Sequence, residues 1–155
     1  MYWADITLDY SDKAGRIQIA SDYGNWQNYW GACGSSFKEF LTKLDIYYAA
    51  GKFGADGWFD LDATLSSMRN DIKEAVKNKE LSKAESKELL EEVESLEQCS
   101  SVHEYYDMVY RDSDKLTTFF DAADFPCKKD VTPQFKRFWN EAWTVFINQI
   151  KEELK

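Results

Sequence analysis

The sequence predicts an α+β fold: a three-stranded antiparallel sheet over residues 1–31, then about five helices over residues 35–155, in one domain spanning residues 1–155. Three observations predict it. Residues 5–10 and 16–20 alternate apolar and polar side chains, the period of a half-buried strand, with turn residues after each. From residue 35 onward, apolar residues recur every three or four positions behind serine, threonine or aspartate helix starts. At 155 residues with 16% aromatic content and six Trp, the chain is long enough to bury roughly two-thirds of its unfolded surface around one aromatic-rich core.

The elements follow in order. Ile6, Leu8 and Tyr10 alternate with Asp5, Thr7 and Asp9, a strand over about residues 3–10. The turn residues Ser11-Asp12-Lys13-Ala14-Gly15 lead to the alternating Arg16-Ile17-Gln18-Ile19-Ala20, which pairs with the first strand as a hairpin. Asp22-Tyr23-Gly24-Asn25 is a second turn, and Trp26–Trp30 completes a meander. Gly34-Ser35-Ser36 before Phe37, Phe40, Leu41 and Leu44 marks a first helix, and Ile46-Tyr47-Tyr48 a short second one broken by Gly51, Gly54 and Gly57. Asp60 or Asp62 caps a helix carrying Leu61, Leu65, Met68, Ile72 and Val76 to about Lys79. Ser82/Glu85 and Ser101/Glu104 have capping-box spacing. The helix begun at Ser82 runs to about Gln98 with Leu89, Val93 and Leu96 inward; the one begun at Ser101 carries Val102, Tyr105, Tyr106, Val109 and Leu116. Thr132-Pro133 starts the last helix, where proline's missing N–H costs nothing, and Phe135, Phe138, Trp139, Ala142, Trp143, Phe146 and Ile150 form its aromatic stripe.

Several function classes are disfavoured by composition. No apolar run approaches the roughly 20 residues of a membrane-spanning helix, so no membrane partner is expected. Met1-Tyr2-Trp3-Ala4-Asp5 does not resemble a secretory signal, which makes a cytoplasmic location the expectation. Cys33, Cys99 and Cys127 lie far apart without a C-x-x-C pair, and His103 is the single histidine, so neither a zinc site nor a disulfide framework is expected, and no cofactor. Net charge is −9, distributed as −1 over residues 1–55, −10 over 56–124 and +2 over 125–155. A chain with that surplus is repelled by nucleic acid, so direct binding of DNA or RNA is not expected.

The motifs that carry chemistry each have a plain structural reading beside them. Gly31-Ala32-Cys33-Gly34-Ser35-Ser36 precedes a helix, where free N–H groups lower a thiol's pKa, but the same residues make an ordinary strand-to-helix turn. His103-Glu104-Tyr105-Tyr106-Asp107 resembles a zinc-protease helix lacking its second histidine. Asp60/Asp62, Asp112/Asp114 and Asp121/Asp124 offer carboxylate pairs without the ligand spacing of a calcium loop. Glu85, Glu88 and Glu92 share one helix face, with Glu91, Glu94 and Glu97 beside them and only Lys83 and Lys87 to offset them. Such a face either keeps the protein in solution or imitates the phosphates of nucleic acid and occupies a basic groove.

Gly15–Trp26 with its Ser21-Asp22-Tyr23-Gly24-Asn25-Trp26 run, Tyr29-Trp30-Gly31, Phe37-Lys38-Glu39-Phe40-Leu41, Lys52-Phe53 and Pro133–Trp139 resemble a set of small phage and prophage proteins. The resemblance covers about half the chain and transfers no catalytic residue. It implies an accessory protein that binds a host factor, inhibitors of defence nucleases such as anti-CRISPR proteins included. The expected function is a non-enzymatic inhibitor of a host protein, a nucleic-acid-handling complex among the candidates, bound through Glu85, Glu88, Glu91, Glu92 and Glu94. Two alternatives stay open: a small enzyme using the Cys33 turn or carboxylates such as Asp60 and Asp62, and a structural or morphogenetic phage component.

Overall fold

The computed structural model describes residues 1–155, the side chain of Ala122 excepted. The meander forms as expected: β1 (Ala4–Tyr10), β2 (Gly15–Ser21) and β3 (Trp26–Trp30) make an antiparallel sheet in the order β1-β2-β3. Ile6 stands opposite Ile19 and Leu8 opposite Ile17, so one face is apolar while Asp5, Thr7, Asp9, Arg16 and Gln18 occupy the other. On the central strand Ile17 and Ile19 are buried.

The β2–β3 turn is built from the Ser21–Trp26 run. Ser21 Oγ donates to the Gly24 carbonyl at 2.6 Å and accepts from the Tyr23 and Gly24 amides, and Asn25 Oδ1 accepts from the Ser21 amide. Gly24 has φ +153°, and a Cβ there would lie 2.7 Å from the Trp26 ring, so both backbone and space require glycine.

The chain forms two compact units, Met1–Trp58 with Val131–Lys155, and Phe59–Asp130. In the first, α1 (Phe37–Thr42) is capped by Ser36 and α2 (Ile46–Phe53) by Asp45, whose carboxylate accepts from the Tyr47 and Tyr48 amides. Gly51, expected to break the chain, lies inside α2: one glycine weakens a helix by about 1 kcal/mol, too little to end one with a good cap. The helix stops at Gly54, which takes a left-handed φ of 69°. Thr132 caps α7 (Pro133–Phe138), which continues through a π-helical turn (Trp139–Trp143) into α8 (Thr144–Glu153). The wider turn resets the apolar stripe, so Phe138, Trp143 and Ile147 all reach the core with Ile17, Ile19, Trp30 and Phe37.

The second unit is helical. It contains α3 (Leu61–Lys77), α4 (Lys83–Ser95) with a 3-10 turn at Leu96–Gln98, α5 (Val102–Asp112) and α6 (Asp114–Phe119). Two-residue strands, β4 (Trp58–Phe59) and β5 (Lys129–Asp130), pair at its ends. With the last helix taken as continuous, seven helices are described, five of them seven residues or longer.

Three expectations change here. Buried apolar residues gather in two clusters instead of one: Leu65, Met68, Ile72, Leu89, Val93 and Tyr105 close their own core within the helical unit. Four amphipathic helices in succession can satisfy one another's apolar faces without the sheet. The Ser101 capping box is half-formed, because Ser101 Oγ accepts the Glu104 amide while the Glu104 carboxylate takes the amide and hydroxyl of Ser100. Leu116 belongs to α6, not to the helix begun at Ser101, which ends at Asp112; Val102 is exposed at that helix's first turn.

Candidate functional site

The acidic helix α4 carries all five residues singled out for partner binding, and their surroundings divide them. Glu85 closes the capping box: its amide donates to Ser82 Oγ at 3.1 Å and its carboxylate accepts from the Ser82 amide at 2.8 Å. The Ser82 amide and hydroxyl hold the Glu85 carboxyl below the usual carboxylate range. Glu88 pairs with Lys115 at 2.6 Å on α6, both side chains about half exposed. Glu97, further along, pairs with Arg69. Glu91 and Glu94 are exposed and form no ion pair among the described residues.

Glu92 holds the fold together. Its carboxylate accepts from the amides of Leu116 at 2.8 Å and Lys115 at 3.3 Å, capping α6 from a neighbouring helix. A carboxylate at those amides also meets the positive end of the helix dipole. Ser113, the residue in the N-cap position, is buried with its Oγ unpartnered among the described atoms, because Glu92 has taken the amides it would have bonded. No local pattern announces a cap from 24 residues away. Glu92→Ala is therefore expected to lower stability by about 1–2 kcal/mol, and Glu91→Ala by less than about 0.5, in urea titrations followed by far-UV circular dichroism. Equal effects at the two positions would refute the assignment of Glu92 as a cap.

The other candidates are placed as follows. Cys33 is half-buried, and burial pushes its thiol up, away from the thiolate a nucleophile needs. It lies in the first unit and the exposed His103 in the second. Asp60 caps α3, accepting the Ala63 amide at 3.0 Å. Among the described residues no three His, Cys, Asp or Glu side chains gather as metal ligands. The hydrogen bond that the Tyr106 hydroxyl donates to Cys127, together with burial, pushes the Tyr106 phenol up to about 12.

The first unit carries an aromatic cleft of about 370 Å³ that sequence reasoning missed, lined by Tyr2, Trp3, Tyr23, Val145 and Phe146. The Arg137 guanidinium lies 3.9 Å from the Tyr2 ring centre, and Glu141 accepts from both Arg137 at 2.9 Å and the Tyr23 hydroxyl at 2.7 Å. Those hydrogen bonds hold the Glu141 carboxyl below its ordinary range, Tyr23's being the larger cause. Arg137 and Glu141 are four apart on one helix, a spacing the sequence shows, but Tyr23 is 118 positions from Glu141, and no spacing rule finds that partner.

Charge separates sharply between the units. Phe59–Asp130 contains 18 acids and 10 bases, and the remainder of the chain 10 and 9. Among the described residues no helix is long and apolar enough to cross a membrane. The model of a family described as a phage family matches residues 1–155. No curated protein and no solved structure matches the chain.

Proposed function

Because the chain belongs to a phage family, Phage_phiTE_072, we propose that it acts on the infected cell by binding a basic, nucleic-acid-handling protein of the host and inhibiting it, a defence nuclease being the leading class. The observation that carries this reading is the charge segregation: 18 acids against 10 bases on a helical unit with its own apolar core, while the other unit is close to neutral. A folded body of that sign complements a groove built to hold phosphates, and long-range attraction speeds the encounter. Within α4 the contact falls to Glu91 and Glu94, with Glu88 in reserve through its exposed pair, while Glu85 and Glu92 serve the fold.

The test is capture from bacterial lysate on the immobilised protein, at low and high salt, with DNA as competitor. The expected result is a basic protein displaced by salt and by DNA, and retained about tenfold less by the Glu91→Lys/Glu94→Lys variant. Retention that ignores both salt and the double reversal would reject an acidic docking face. A captured protein that DNA does not displace would reject phosphate mimicry.

A further inference from the structure

Beside the acidic row, α4 and α6 leave a groove of about 520 Å³ between them, with Leu81, Leu89 and Phe119 as its apolar floor. Glu85, Glu88 and Asp114 stand on its rim, and the only base there among the described residues, Lys115, is already bound to Glu88 at 2.6 Å. Phe119 is half-buried and stacks edge-on to Phe120 at 4.8 Å, so the floor is held by rings that already have neighbours. Leu81 and Phe119, part-exposed over the buried Leu89 at the bottom of an acid-rimmed trough, favour burial of an apolar group that arrives with positive charge around it.

We propose that this groove docks a basic amphipathic segment of the partner, one apolar side chain entering between Leu81 and Phe119 over Leu89 while flanking Lys or Arg residues face Glu88 and Asp114. This rests on the proposed acidic docking and adds its anchor. Charge complementarity selects the occupant: three carboxylates against one amine leave the rim net negative, so it accepts a cationic segment and repels the same face of a second copy. The Glu88–Lys115 pair acts as a gate, because an incoming cation competes with Lys115 for Glu88. Anchor in a pocket with charges around it is the arrangement that concentrates binding energy in a few residues.

The closing experiment titrates the full chain with a fluorescein-labelled helical peptide of leucine and lysine, and with the same peptide bearing serine for leucine. Lys115→Gln frees Glu88 and removes a like charge. Thr118→Lys, on an exposed position in the last turn of α6 where a cation suits the helix dipole, adds one. Expected results are about tenfold tighter binding of the leucine peptide than the serine peptide, a several-fold gain in Lys115→Gln and a several-fold loss in Thr118→Lys. Equal binding of the two peptides, weakened by Glu91→Lys/Glu94→Lys, would overturn the groove and leave acidic docking intact. Binding of neither peptide at low salt would overturn both. Self-association abolished by Thr118→Lys in sedimentation would overturn the cationic occupant and give the groove to a second copy.

Discussion

Phe135→Ala unfolds the first unit or leaves it barely stable. Phe135 is fully buried, with Trp26 at 5.0 Å, Phe53 at 5.8 Å, Phe138 at 5.8 Å and Trp139 at 6.0 Å between ring centres. Its four ring neighbours come from β3, α2 and the last helix, so the ring is where the sheet, the short helix and the returning chain meet. Removing a buried phenylalanine typically costs about 3–5 kcal/mol, against a total stability of about 5–15 for a whole protein. Aromatic partners cannot collapse into the space as aliphatic ones do, so the upper part of that range applies. Near-UV circular dichroism and urea titration of the variant would show the loss. A stability change below about 1 kcal/mol would mean that Phe135 does not hold these elements together.

Gly15→Ala is the second large effect, and it arises from space. Gly15 begins β2 with its backbone against the face of Phe37, and a Cβ there would lie 2.8 Å from three ring carbons. Phe37 is 1% exposed and stacks on Tyr10 at 5.7 Å, so the ring has nowhere to go. Overpacking of this kind costs about 1–3 kcal/mol. A double-mutant cycle isolates the cause: Gly15→Ala combined with Phe37→Leu should lose clearly less than the two single changes summed. Additive losses would assign the effect to the backbone instead.

What the sequence shows well is what is decided within a few residues. A turn signal followed by aromatic residues placed β3 at Trp26–Trp30, and the Ser82/Glu85 spacing marked a capping box whose two bonds are both present. The same rule half-failed at Ser101, where the neighbouring Ser100 offers Glu104 a hydroxyl as well as an amide. Which apolar faces meet is a long-range matter, so periodicity identified the helices and could not divide them into two cores. The acidic row was visible at Glu85–Glu94, but the roles within it were not: Glu92 as a cap, and Glu88 as half of an ion pair, depend on α6, which lies more than twenty residues on. The groove and the aromatic cleft are likewise products of packing, and the run of residues around them carries no trace of either.

The first unit is assembled from two stretches of chain separated by the second. During synthesis the sheet, α1 and α2 emerge first, yet Phe135 and Phe138 do not exist until the helical unit has been made. The helical unit is contiguous, and its contacts are complete by Asp130. Ile17, Ile19 and Trp30 therefore wait for their cover through the synthesis of the whole intervening unit, and the aromatic sheet face is at greatest risk of aggregation in that interval.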